Sequence, residues 1–500
     1  MPGIAMHGSA TVPDLRIEPA RRVAVARYAL WAVFALAVLV RLVPLTYSHF
    51  WDEVVFLQHA RIILDGRTNY DEFIHRPPLL PFAYALGLAI WNSNYSAQVV
   101  QAILSALVVP FGFLFTRRAF GDLPAYFAAP LFAFTPYLVD RSHELLTDAP
   151  AVVLMLAAMW LAERPGSRSA LAAGVTSGLA VLMRFTSLFI FPYFVLSTIV
   201  QRRSIARLAC VVAAAGVTVV PYLVWVHARF GSPFYTFEHA RRITVEWTAP
   251  VPLGFYDAAL AVIFPTTLAL FFIAGIGFAI ARARGDWSTG GASAIGRGPT
   301  GHVATLVVWG AAFFAYMSTI PHKEVRYLLP LTIPVVVVAA LGMAETWRLL
   351  RACGLAVRVV ACLAAAVAAL IDYCPAFDGL TTQWIDRSQT EAVQIARYLH
   401  EVSGPGDTVY AAHEFPVLAY YSERRTVSVL PIQQDFERQW RTWMRAPGYF
   451  VYFPPQGLGE THTRNPQFKP DRTFLESSPE FRPVRVFSHA TVYRYDPALP

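Results

Sequence analysis

Apolar runs separated by short polar segments fill the first 375 or so positions, near 28–47, 98–116, 122–138, 149–163, 169–183, 185–201, 206–226, 257–281, 303–320, 327–345 and 355–373. A helix crosses about 30 Å of hydrocarbon with roughly 20 such residues, so the pattern predicts about eleven transmembrane helices. The run from Pro77 to Trp91 is also apolar, but counting it as a span would invert everything after it. With Tyr84, Trp91 and Tyr95 at hand, it predicts a helix lying in the membrane interface.

From about Pro375 the period changes. A helix is expected near Glu391 to Val402, with strands at Asp407 to Ala411, Thr426 to Leu430, Tyr449 to Phe453 and Phe481 to Tyr495. The turn at Gly404 to Gly406 and the proline-rich stretch from Pro454 to Pro470 punctuate it. The fold class is therefore an α-helical polytopic membrane protein with a small soluble α/β domain at the C-terminus. Its expected parts are a cytoplasmic tail (1–25), a transmembrane domain (26–374) whose first outer loop is 48–97, and an extracytoplasmic α/β domain (375–500).

Charge orients these parts. Arg21, Arg22 and Arg27 precede the first run, which lacks a small-residue cleavage site and reads as a retained signal anchor. Further arginines recur at 117–118, 164–168, 202–207, 282–297 and 348–358, which marks those loops as cytoplasmic. The alternate loops, 48–97, 139–148, 227–256 and 321–326, are richer in acids, histidines and aromatics and face outside. The expected location is the cell (plasma) membrane, multi-pass, with the C-terminal domain outside.

Composition agrees. The chain is 56% hydrophobic and 15% charged, with mean hydropathy +0.44, where soluble domains carry about a quarter charged residues. The net charge of +8 is spread over short clusters rather than one basic face, so no nucleic-acid partner is expected. Four cysteines without CxxC spacing, Cys210, Cys353, Cys362 and Cys374, indicate neither a disulfide framework nor a metal cluster.

Ionisable groups beside membrane spans are costly and mark function. Four clusters stand out: HFWDEVVF with Asp52 and Glu53, FIHRPPLL with His75 and Arg76, DRSHELLTDAP with Asp140, Glu144 and Asp148, and PHKEVRYLLP with His322, Lys323, Arg326 and Tyr327. An acidic pair after a span also suits a solvated loop or helix cap. Acids on one loop facing cations on another suit a reaction in which an anionic phosphate departs while an acceptor hydroxyl is deprotonated. Asp52 is the candidate base. Lys323 and Arg326, with Arg76 as a third cation, are candidates for the donor phosphate, as are His322 and Tyr327 of the same motif.

Glu144, Asp148, His75 and Arg184 are candidates for binding acceptor or substrate, as are His239 and Arg242 in an aromatic loop. Asp52, Glu144 and Asp148 are also candidate oxygen ligands for a divalent metal ion.

WDE after the first span, RPP about 25 residues later, ELLTDAP opening a later span and HKEVRYLLP near the last spans together resemble the GT-C superfamily of glycosyltransferases. More narrowly, the chain is similar to the branch of protein O-mannosyltransferases and lipid A aminoarabinose transferases. The resemblance implies an inverting enzyme using a polyprenyl-phosphate sugar, with Asp52 as base and Glu53 beside it. Arg76 and Pro77 stand where the aminoarabinose transferases carry a Lys-Pro pair. HKEVRY is also similar to a loop of lipid-linked mannosyltransferases, so the acceptor stays open between protein, glycolipid and polysaccharide. The rival readings are a lipid-linked sugar transporter or flippase, with a midplane site and repeated halves, and a receptor whose C-terminal domain does the binding.

Overall fold

The computed structural model describes residues 19–43, 49–65, 76–246, 252–288, 298–385, 389–411, 413–429, 436–453 and 472–498. Among the described residues, six helices are long and apolar enough to cross a bilayer: Asn94–Phe120, Ile205–Phe230, Thr266–Arg284, Pro299–Thr319, Val325–Arg351 and Leu355–Pro375. Of the other expected runs, the first falls in the 24-residue helix Pro19–Leu42 and the rest form shorter or bent elements. Helices Pro136–His143 and Asp148–Glu163 meet at 119°, which turns the chain back on itself and leaves residues 144–147 as a tight connection.

Several boundaries differ from the pattern for local reasons. The first helix is Pro19–Leu42 rather than 28–47. The described residues from Pro19 to Arg27 are thus already helical ahead of the run expected at 28–47. The run 257–281 splits into Phe255–Ile263 and Thr266–Ser288, because Pro265 forces Phe264 into extended backbone. The last membrane helix continues to Ile385, across the expected domain boundary at 375, with Pro375 inside it. The segment Pro77 to Trp91 forms a 12-residue helix, Leu79–Ile90, about 18 Å long and so too short to cross a bilayer. The segment expected as the first outer loop also contains a helix the pattern missed, Trp51–Leu64.

Close helix contact is set by small residues. A Cβ on Gly342 would lie 2.1 Å from the Phe271 carbonyl oxygen, and one on Gly275 would lie 2.2 Å from that of Val338. The Thr266–Ser288 and Thr332–Arg351 helices therefore touch backbone to backbone.

The C-terminal domain is a five-stranded mixed sheet of order β2-β1-β3-β5-β4, built from β1 (Thr408–Ala411), β2 (Arg425–Ser428), β3 (Gly448–Tyr452), β4 (Phe481–Val486) and β5 (Thr491–Tyr495). β1 runs parallel to β2 and β3, while β5 is antiparallel to β3 and β4. The stretch expected as one strand from Phe481 to Tyr495 is thus a hairpin. The expected helix at Glu391 to Val402 is present, and a helix Phe415–Ser422, unforeseen from the pattern, follows β1. The expected proline-rich punctuation at 454–470 lies outside the described residues.

Candidate active site

The Trp51–Leu64 helix carries Asp52 in its first turn and packs on the Leu79–Ile90 helix through Phe56, Leu57, Leu80, Tyr84 and Leu88. That packing brings Asp52 to the beginnings of two other elements. Arg76, just before the Leu79 helix, pairs with the Asp52 carboxylate. Arg326, at the start of the Val325–Arg351 span, donates to its other oxygen at 2.7 Å. One carboxylate is thus held between guanidiniums 24 and 274 residues away, and its side chain is only 13% exposed. Burial raises its pKa, but Arg76 and Arg326 outweigh burial and hold it below the ordinary aspartate range.

Arg326 is itself paired with Glu324. Glu324 also meets His322 at 2.7 Å and accepts from the Tyr327 hydroxyl at 3.1 Å. Burial pushes Glu324 up, while the hydrogen bond from His322 and the charge of Arg326 prevail and hold it below the ordinary range. The Tyr256 hydroxyl fixes this loop by donating to the Glu324 carbonyl at 3.2 Å. Lys323, expected beside Arg326 as a phosphate ligand, is buried at 7% exposure, and the cations on Asp52 are Arg76 and Arg326.

Glu53 faces elsewhere. Its two carboxylate oxygens accept from the backbone NH of Phe50 at 3.0 Å and of Leu145 at 2.8 Å. Adjacent helix positions are about 100° apart, so Glu53 ties the Trp51 helix to the 144–147 connection while Asp52 meets the arginines.

Arg184 donates to Asp148 at 2.9 Å and to the Thr147 hydroxyl at 3.2 Å. Its guanidinium lies 5.2 Å from the centroid of the Tyr327 ring, linking Asp148 to the Arg326 loop. Arg141, which sequence reasoning passed over inside DRSHE, is held by Asp140 at 2.9 Å and by Glu144 at 2.7 Å. A cavity of about 430 Å³ opens beside Arg326, lined by Tyr137, Asp140, Arg141, Glu144, Glu324 and Arg326. Phe50, Val262 and Val325 complete the lining, and the volume suits a small ligand. The Oε2 of Glu144 is buried without a hydrogen-bond partner among the described residues. Burial, opposed by Arg141 and reinforced by Glu53 and Asp140, pushes Glu144 up to about 8.

His75 lies outside the described residues, and the side chain of Arg242 is likewise not described. His239 stacks on Tyr235 with ring centroids 5.8 Å apart, in the Tyr235–Glu246 helix. Among the described residues no three His, Cys, Asp or Glu side chains converge as metal ligands. Each of the three carboxylates considered for a metal is engaged by its own arginine: Asp52 by Arg76 and Arg326, Glu144 by Arg141, Asp148 by Arg184. Such a site does not fit a divalent cation.

The cluster therefore sits where helices begin or turn, at one end of the bundle. The family model described as dolichyl-phosphate-mannose-protein mannosyltransferase matches residues 75–225, and that of the Alg9-like mannosyltransferase family matches 251–380. No curated protein sequence matches the chain. Among solved structures, ArnT from Cupriavidus metallidurans bound to undecaprenyl phosphate is similar at TM-score 0.66 and 16% identity, covering 96% of this chain and 99% of that one. The archaeal oligosaccharyltransferase AglB from Archaeoglobus fulgidus, in complex with an inhibitory peptide and a dolichol-phosphate, is similar at TM-score 0.61 and 13% identity, covering 85% of this chain and 69% of that one. The two models divide between them most of the transmembrane region, and the ArnT fold spans nearly the whole chain, so this protein has the fold of GT-C membrane glycosyltransferases and resembles those of the protein-mannosyltransferase and ArnT type.

Proposed function

We propose that the protein is an inverting glycosyltransferase that moves a sugar, mannose or a related one, from a polyprenyl-phosphate donor to a hydroxyl of an extracytoplasmic protein, glycolipid or polysaccharide. The observation that carries this reading is the Asp52 carboxylate gripped by Arg76 and Arg326 beside a cavity that mixes charged and apolar side chains. Two guanidiniums converging on one anion form a fork suited to phosphate. The two similar structures were solved with an undecaprenyl phosphate and a dolichol-phosphate, which supports a carrier of that class.

Asp52 pairs with the two arginines that the donor phosphate would take up. When a donor phosphate takes up Arg76 and Arg326, Asp52 loses the charges that keep its pKa low and becomes a better proton acceptor. An acceptor hydroxyl then gives its proton to Asp52 while its oxygen attacks the anomeric carbon. The bond from that carbon to the phosphate oxygen breaks, and the electron pair leaves with the polyprenyl phosphate. The arginines stabilise the charge that develops there, and the configuration inverts. The Glu144 side of the cavity is suited to sugar hydroxyls.

The position at the helix ends supports this reading over a lipid-linked sugar flippase, which calls for a midplane site. The test is sugar transfer by the protein reconstituted in lipid with a panel of radiolabelled polyprenyl-phosphate sugars. Wild type transfers at least one of them, with an inverted product, and Asp52→Asn transfers about 100- to 10,000-fold more slowly. Full transfer by Asp52→Asn would remove Asp52 as base.

A further inference from the structure

The helix that carries Asp52 is gripped on its far side by the C-terminal domain. Val54 lies in the domain's own apolar core with Val393, Leu399, Val409 and Leu418. The Trp51 ring meets Phe415 edge to face, with centroids 4.8 Å apart. The His49 backbone NH donates to the Tyr421 hydroxyl at 3.2 Å. One turn from the end of the same helix, Arg61 donates to the Tyr420 hydroxyl at 2.9 Å, and that hydroxyl donates to Asn94 at 2.6 Å.

Phe415, Leu418, Tyr420 and Tyr421 all belong to the Phe415–Ser422 helix, and both ends of that helix are unusual. Glu414 before it and Glu423 after it have φ of 56°, a left-handed backbone that non-glycine residues adopt at a cost. Such a conformation persists where its surroundings fix it. Here the surroundings are the sheet on one side and the Trp51 helix on the other. Residues 49, 51 and 54 bracket Asp52, so its approach to Arg76 and Arg326 is set jointly by the membrane domain and by this helix.

We propose that the C-terminal domain holds Asp52 in place through the Phe415–Ser422 helix, with Phe415 and Tyr421 as positioning residues for the carboxylate. The consequence for catalysis rests on the reading of Asp52 as base and of Arg76 and Arg326 as phosphate ligands; the mechanical part does not.

The experiment uses the full-length protein in detergent micelles and two measurements. Hydrogen exchange followed by mass spectrometry reports on the amides of residues 54–57, the first of which is bonded to the Phe50 carbonyl. Phe415→Ala is expected to speed their exchange about tenfold and Tyr421→Phe, which deletes one oxygen, about threefold. Phe415→Leu restores most of the protection. The Asp148–Glu163 helix stays as in wild type.

Binding of undecaprenyl phosphate is the second measurement. It tightens severalfold in Phe415→Ala, because a loosened Asp52 competes less for the two arginines. Unchanged exchange at 54–57 in both variants overturns the proposal. So does faster exchange that extends equally to Asp148–Glu163, which marks a general structural role. Faster exchange confined to 54–57 with unchanged phosphate affinity upholds the positioning and overturns the phosphate reading instead. Should Phe415→Ala not fold, Tyr421→Phe carries both measurements.

Discussion

Replacing Asp52 by Asn separates two effects that most active-site substitutions confuse. The change keeps the side chain's shape and removes its charge from between Arg76 and Arg326. A donor phosphate reaching those guanidiniums comes within about 6 Å of the carboxylate. At an effective dielectric constant of about 20, two like unit charges at that separation repel by about 3 kcal/mol. Since 1.4 kcal/mol is a factor of ten, full relief would be worth about 100-fold in affinity. Partial exposure of Arg76, at 22%, leaves room for solvent screening, so a gain of about tenfold is expected.

The same substitution leaves the partly exposed Arg76 short of a counterion and Arg326 with Glu324 alone, which costs the free protein about 1–2 kcal/mol. Titration calorimetry with undecaprenyl phosphate in micelles measures the first effect, and thermal unfolding with and without that lipid measures the second. The expected pattern is tighter binding, a lower melting temperature in the free protein, recovery of that temperature on adding the lipid, and loss of sugar transfer. Unchanged or weaker phosphate binding would refute the idea that Asp52 and the phosphate compete for one pair of arginines.

Other outcomes follow from the same geometry. Arg326→Lys keeps a charge but loses the fork, so undecaprenyl phosphate affinity should fall about tenfold by the same titration. Glu144 is neutral below its raised pKa of about 8 and anionic above it; phosphate affinity should therefore decline as pH rises through 8, and Glu144→Gln should flatten that decline. Glu414 is pushed up to about 7 by burial from an ordinary 4.5. Between those values the folded protein binds the proton more tightly than the unfolded chain, so this group's contribution to stability is lost as pH rises from about 5 to 8, and melting curves of Glu414→Gln should lack that share of the loss. Gly342→Val drives a side chain into the Phe271 carbonyl and should lower stability by about 3 kcal/mol or block folding, read as loss of the monodisperse protein in size-exclusion chromatography.

The parts of this architecture that sequence made legible are those governed by local periodicity and by expensive residues. Apolar runs located most membrane helices, and acids and bases stranded at their ends marked Asp52, Arg76, Glu144, Asp148 and Arg326. Residue type alone did not separate roles within a motif. In WDE, which acid meets the arginines depends on the phase of a helix that apolar counting missed, because Trp51–Leu64 mixes Asp52, Glu53, Gln58 and His59 among its apolar positions. In HKEVR, Lys323 and Arg326 are equal as charges, and only the backbone of the loop puts Arg326 on Asp52. The grip of Tyr420, Tyr421 and Phe415 on the Trp51 helix spans more than 350 positions, and nothing local in FPVLAYYS marks it.

The tie from Glu53 to the Leu145 amide has a consequence for how the protein can vary. Neighbouring acids on one helix, about 100° apart, serve different partners: one is spent on the scaffold, and the other, in the proposed function, is kept for exchange with a ligand. Swapping their identities, with Glu at 52 and Asp at 53, would preserve charge and composition yet lengthen the ligand-side arm by a methylene and shorten the scaffold-side arm by the same. The order of the two letters is thus a length specification, and WED in place of WDE should be the less tolerated spelling although it contains the same chemistry.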